Sequence, residues 1–139
     1  MIEDAAVLIS KLGHRAKRRF QVLLEPTGLR SNHAQVITYV YEHAGASQRD
    51  VVEALRVTPS MVVELVDYLE QSGYVVRERR PGDRRAWAMR LTPAGERVWE
   101  QVLEISAQVQ DELLAPLAPR DRGRLVGYLR ELDGNFAGR

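Results

Sequence analysis

The stretch "SQRDVVEALRVTPSMVVELVDYLEQSGYVVRERRPGDRRAW", residues 47–87, holds two short helical patterns followed by two segments of alternating character. Ser47 is a good N-cap, and Asp50 three residues later makes a capping box with a shorter acid than usual. Val51, Val52 and Leu55 give this first helix an apolar face. The pattern restarts at Thr58, a capping residue, with Pro59 at the first helical position, where a missing N–H costs nothing. Val62, Leu65, Val66 and Leu69 form its buried stripe, and Gly73 is a natural residue just past its end. Only Arg56, Val57 and Thr58 separate the two helices, the length of a helix-turn-helix link. "YVVRERR" and "RAWAMRL" then alternate with period two around Pro81-Gly82-Asp83, which predicts a β-hairpin. Tyr74 and Val76 share one face of its first segment, and Trp87, Met89 and Leu91 one face of the second. A helix-turn-helix followed at once by a hairpin is a winged helix. Arg77, Arg79, Arg80, Arg84 and Arg85 crowd this hairpin. Like charges so close repel, and a fold gains nothing from them by itself. A wing would turn them toward the DNA backbone, beside the groove entered by the preceding helix.

Outward from this core, helical patterns continue on both sides. Residues 4–24 carry Ala5, Ile9, Leu12, Ala16, Phe20 and Leu23 at helical spacing until Pro26 and Gly28. A second helix is expected from about Ser31 to His43, with Val36, Ile37, Val40 and Ala44 toward a core and Gly45 closing it. After the hairpin, Thr92 and Pro93 open a long helix striped by Val98, Val102, Ile105, Val109 and Leu113 as far as Pro116. A last helix runs from about Pro119 to Phe136, with Leu125, Leu129, Leu132 and Phe136 on one side. The fold class is therefore mainly α with a small β-hairpin wing. Connections are short, which predicts one domain over residues 1–139. The terminal stripes have little left to cover them in one small subunit, which predicts a homodimer.

The whole-chain balance narrows the function. The 139 residues contain no cysteine, so disulfides, thiol catalysis and cysteine-ligated zinc are excluded. Net charge is only +1, but residues 77–90 sum to +4 and residues 11–30 to +5, leaving −8 elsewhere. Two basic zones on an otherwise acidic chain are a patch pattern, against the plainer alternative of solvated surface charge. No apolar run approaches the ~20 residues of a membrane span, and the N-terminus lacks the character of a signal peptide. A cytoplasmic location is expected, with no membrane partner. His14, His33 and His43 form no two-ligand helical pair, so no metal and no cofactor are expected. Gly-x-Ser-x-Gly, phosphate-loop and His-Glu-x-x-His motifs are missing, so the chain is not expected to be an enzyme.

At "GDRRAWAMRLTPAG", residues 82–95, the sequence resembles the MarR family of bacterial transcription regulators. The family's wing reads Asp-x-Arg, a short strand, then Leu-Thr-x-x-Gly; here Asp83, Arg85, Leu91, Thr92 and Gly95 stand in those places. "LVDYLEQSGYVVRE" resembles the end of the family's recognition helix and the first wing strand, and residues 28–55 match its second and third helices in spacing. The resemblance implies a winged helix-turn-helix lobe at about 30–91. It also implies dimerisation helices at about 1–25 and 92–139, and two lobes addressing a pseudo-palindromic operator in double-stranded DNA. It places Ser60, Met61 and Val63 or Glu64 toward bases, offering a hydroxyl, a soft contact for a thymine methyl, and an acceptor for cytosine. Phosphate contacts would come from the helix N-terminus at Thr58, from Arg49 or Arg56, and from wing residues Arg79, Arg80, Arg84 and Arg85. Asp83 would brace one of the last two, with the family pattern favouring Arg85. One departure stands out. Glu64, Asp67 and Glu70 make the recognition helix −3, where many relatives carry Arg or Lys near Glu64 or Tyr68.

The resemblance further implies a small-molecule effector, often an aromatic or phenolic anion, between the dimer helices and the DNA-binding lobe. That region would include Leu12, Arg15, Ala16, His33, Ile37, Tyr39 and Val102, with Arg15 pairing to a carboxylate. Ordinary packing or hydration is the plainer reading of each. The leading function is a sequence-specific repressor released by such a ligand. Two alternatives stand beside it: an effector-independent architectural DNA binder, and a winged-helix protein-interaction module with weak DNA affinity, which the acidic recognition helix keeps open.

Overall fold

The computed structural model describes residues 4–80 and 82–139, apart from the side chains of Arg80 and of residues 83–86. Helix α1 spans Ala5–Leu24 and starts where the Asp4 carboxylate accepts the Val7 N–H at 3.0 Å. Its end tightens into a 3-10 turn, Glu25–Thr27, with Pro26 inside it. Helix α2 spans Ser31–Glu42, α3 spans Gln48–Leu55 and α4 spans Pro59–Gln71. Both halves of the expected capping box at Ser47 and Asp50 form, at 3.1 and 2.9 Å. Thr58 caps α4 by accepting the Met61 N–H at 3.2 Å, with Pro59 at the first helical position. Gly73, at φ +79°, takes the left-handed conformation that ends this helix. Strands β1 (Val75–Arg80) and β2 (Asp83–Leu91) pair antiparallel, and helices α5 (Pro93–Leu114) and α6 (Pro119–Phe136) complete the chain. None of these helices is long and apolar enough to cross a membrane.

The main core joins α2, α3, α4, the hairpin and the start of α5. It contains Leu29, Val36, Ile37, Val40, Val51, Val62, Val66, Leu69, Val75, Met89 and Val98. A smaller cluster of Leu24, Ala34 and Val102 seats α1 and α5 on α2. Two expectations need correction. Ala44 is exposed, because α2 stops at Glu42; Ala46 is buried in its place and bridges Met89 through a backbone bond of 2.9 Å. In β1 the inward apolar residue is Val75, and Val76 faces out. The register sets this: Val75 lies opposite Leu91, Arg77 opposite Met89 and Arg79 opposite Trp87, and directly opposed residues share a face.

The terminal helices are different. Helix α6 has no buried residue. Leu129, Leu132 and Phe136 are exposed, Phe136 at 71%, and so are Ile9 and Leu12 of α1. The stripe on α5 buries Val98 and Val102 but leaves Leu113 exposed, with Leu114 buried beside it.

Candidate functional site

The turn of the helix-turn-helix is made by Arg56, the one non-glycine residue with positive φ (54°) among the described residues. A left-handed residue here reverses the chain within three positions and sets α4 across α3. Beyond it, α4 buries Val62, Val66 and Leu69 and leaves the rest of its first turns outside. Ser60, Met61, Val63 and Glu64 are all exposed. They share one edge of the helix with the Thr58 hydroxyl, which lies 3.3 Å from that of Ser60. Asn32, at the start of α2, approaches the Met61 sulfur at 3.9 Å. The start of α2 thus borders the same surface, a neighbour that helical periodicity alone does not reveal.

The acidic character of α4 is largely internal. Arg77 on β1 reaches back to Asp67 at 2.6 Å and to Glu70 at 3.8 Å, with only 19% of its side chain exposed. Two of the three acids are therefore partnered by a wing-strand cation, and Glu64 alone stands among the outward first-turn residues. Arg90 pairs with Glu78 across the strands, and the Arg79 guanidinium lies 5.1 Å from the centre of the Trp87 ring. The charge of the hairpin is thus partly structural. The side chains of Arg80, Asp83, Arg84 and Arg85 lie outside the described residues. Arg49 is exposed and leans on Glu53 at 3.4 Å. Arg56 donates to the Ala137 carbonyl at the end of α6, at 3.0 Å.

The hairpin is locked to α5 by the Leu-Thr-x-x-Gly segment. Thr92 donates its hydroxyl to the Gly73 carbonyl at 2.5 Å and accepts the Gly95 N–H at 3.0 Å, while its own N–H bonds the Tyr74 carbonyl at 3.0 Å. Gly95 packs so closely on the Tyr74 carbonyl that a Cβ there would overlap the oxygen. The motif that carried the resemblance therefore has a physical task, which is to hold the base of the wing against the long helix.

Residues 27–86, the segment from the end of α1 to the second wing strand, match the model of the MarR family. Over this segment, less than half of its 139 residues, the chain is similar to the MarR family. It is 29% identical over 97 residues to the putative transcriptional regulatory protein for the hcr operon of Thauera aromatica, covering 70% of this chain. The chain spans 58% of that protein's length. In structure it is similar to a MarR family transcriptional regulator from Rhodococcus sp. RHA1 (27% identity, TM-score 0.81, 90% of this chain and 89% of that one). It shares its fold with a MarR mutant from E. coli complexed with operator DNA (22% identity, TM-score 0.79, 91% of each chain). The same fold is seen in a Mycobacterium tuberculosis MarR family protein in complex with p-aminosalicylic acid (18%, TM-score 0.78, 94% of this chain and 98% of that one).

An open, mainly apolar groove of about 1150 Å³ lies between α1, α2, α5 and α6, touching the end of α3. Of the seven residues expected near a ligand, Leu12, Ala16, Tyr39 and Val102 line it. Arg15 is exposed and outside the lining, and Ile37 is fully buried in the main core. His33 is at the other end of α2, stacked on Tyr68. The polar part of the lining is instead Lys17, Ser31, Gln35, Thr38, Ser106 and Gln110, with the carboxylate of Glu42. The sequence places Lys17 only within a basic zone, since its position on the groove side depends on how α1 crosses α5. In the same zone Arg19 makes a two-pronged pair with Glu112, at 2.8 and 3.0 Å. The Arg19 hydrogen bond, helped by Gln108, pulls the Glu112 carboxyl down to about 2.

Proposed function

We propose that this protein is a homodimeric, sequence-specific DNA-binding repressor, acting in the cytoplasm and released from its operator by an aromatic or phenolic anion. The observation that carries the DNA reading is the outward edge of α4. Ser60, Met61, Val63 and Glu64 project together from the capped start of the helix, while Asp67 and Glu70 are taken up by Arg77. A helix N-terminus with free side chains of this kind suits a major groove, and its dipole suits the flanking phosphates. The operator complex of a protein with the same fold supports the reading. The absorbed acidity weighs against a protein-interaction module, because the repulsion such a helix would exert on DNA is reduced to Glu64.

Residues 30–91 form the DNA-facing lobe in this proposal, and residues 1–25 and 92–139 meet the partner subunit. Exposed Ile9, Leu12, Leu129, Leu132 and Phe136 supply the apolar surface for that contact, and two lobes so joined read a pseudo-palindrome. The α2 side of the groove, with Lys17 as a cation, is the proposed effector site, while Ile9, Leu12 and Leu129 on its other side meet the partner subunit. The p-aminosalicylic acid complex of a similarly folded protein supports an aromatic carboxylate as the class.

Selection of bound sequences from a random DNA pool tests the central claim, followed by titrations of the selected duplex and a random duplex at several salt concentrations. Wild type should prefer the selected site. Arg84→Ala should weaken binding to both duplexes and flatten the log–log salt dependence by about two units, one phosphate per subunit. Absence of any enriched sequence would remove the operator reading, and coincident slopes would remove Arg84 from the backbone contacts. A thermal-shift screen of aromatic carboxylates separates the effector-released repressor from an effector-independent binder.

A further inference from the structure

The N-terminal turn of α2 is tied to the recognition helix by a closed circuit of contacts. His33 stands at the third position of α2, and its Nδ1 accepts the backbone N–H of Arg30 at 3.0 Å. In a capping box that place is held by Glu or Gln, which can accept at any pH near neutrality. The His33 ring stacks on Tyr68 of α4, with centroids 4.4 Å apart and planes at 27°. The Tyr68 hydroxyl donates to the Gly28 carbonyl at 3.0 Å. The segment 28–30, the first turn of α2 and the second half of α4 therefore brace one another. Tyr68 sits eight residues beyond Ser60, roughly 12 Å along the same helix.

We infer that His33 and Tyr68 are positioning residues that set the angle at which α4 meets DNA, and that protonation of His33 releases that setting. The inference rests on the DNA-binding reading above. A protonated imidazole has no acceptor nitrogen, so the Arg30 N–H loses its partner. The charged and titratable surroundings come from three sides. Arg30 precedes α2, and Tyr68 faces the ring from α4 with Glu64 one turn before it. Glu25 lies in the turn after α1, and Gln21 of α1 accepts the Ser31 N–H at 3.0 Å. Asp67 is directed to Arg77. Burial, then the positive charge of Arg30, lowers the His33 pKa from its ordinary value, which keeps the acceptor available near neutral pH. Because the folded value is depressed, the bond's contribution is present above the ordinary imidazole value and is lost as pH falls through the folded one.

Duplex titrations of wild type, His33→Gln and Tyr68→Phe at about pH 7.5 and about pH 5, the second about 1.5 units below the ordinary imidazole value so that a depressed one is also reached, test this. Wild type should lose about fivefold or more in affinity on acidification, the factor that one lost capping bond carries, with its salt slope unchanged. His33→Gln keeps the acceptor and cannot titrate; it should match wild type at the higher pH and lose clearly less at the lower. Tyr68→Phe should bind more weakly at the higher pH, with unchanged salt slope and little further response to acid. If His33→Gln fails to fold, the flat profile of Tyr68→Phe carries the test alone. A pH profile shared by wild type and His33→Gln overturns the inference. So does a flattened salt slope in Tyr68→Phe, which would make Tyr68 a phosphate contact. Wild type that binds no duplex at either pH overturns the DNA reading itself, and this inference with it.

Discussion

Replacing Gly95 by Ala should destabilise the protein, although the same change usually stabilises a helix. In an open helical position Gly→Ala gains about 1 kcal/mol. At Gly95 the new Cβ would overlap the Tyr74 carbonyl oxygen and press on the Leu91 Cβ at 3.3 Å. Neither neighbour can yield easily. The Tyr74 N–H is bonded to the Leu69 carbonyl at 2.9 Å, and the next residue, Val75, is buried and paired with Leu91. Overpacking against fixed atoms costs about 1–3 kcal/mol or more, and separating Thr92 from Tyr74 to make room forfeits a bond worth about 1 kcal/mol. The net loss is about 1–3 kcal/mol. For a chain of this length that corresponds to a fall of roughly 3–12 °C in melting temperature. Thermal melts at one fixed protein concentration measure it, since association shifts the midpoint. Gly123→Ala in α6 is the control, because its Cβ would meet nothing within 4 Å; it should melt at or above wild type. If Gly95→Ala melts as high as wild type, α5 and the wing base are not in the contact described, and the structural account of Leu-Thr-x-x-Gly fails.

Removing residues 118–139 should give aggregates or unfolded monomer, because it strips the exposed α6 stripe from its partner; a well-folded truncated monomer in sedimentation would contradict dimerisation through these helices. Ser60→Ala or Met61→Ala should cost roughly 1–3 kcal/mol on the selected operator and less on random DNA, and equal losses on both would move base reading elsewhere. The Glu112 carboxyl should titrate near 2 by NMR, well below its ordinary 4.5. Arg19→Ala should return it toward that value. The pair's contribution is present above the ordinary carboxylate value and is lost as pH falls through about 2. An unmoved Glu112 titration in Arg19→Ala would remove Arg19 as the cause.

Much of this molecule was decided locally, and the sequence reports local decisions well. Caps and breakers act within one turn of chain. Ser47 with Asp50, Thr58 before Pro59, Gly73, and Thr92 before Pro93 therefore placed helix ends close to where they stand. The stripe Val62, Val66 and Leu69 followed from helical period alone. Contacts between elements were a different matter. The face of β1 depended on its register against β2, since a shift of one residue exchanges inside for outside; Val75 was buried where Val76 had the same local pattern. Charge counting marked α4 as acidic, but only the packing of β1 on α4 brought Arg77 to Asp67 and Glu70. The family resemblance gave His33 and Ile37 equal standing as ligand residues. The fold put one against Tyr68 and sealed the other in the core, and it turned Lys17 toward the groove instead. Periodicity assigns a residue to a face of its own helix. Which neighbour meets that face is fixed by how the helices cross, and that depends on side chains far apart in the chain.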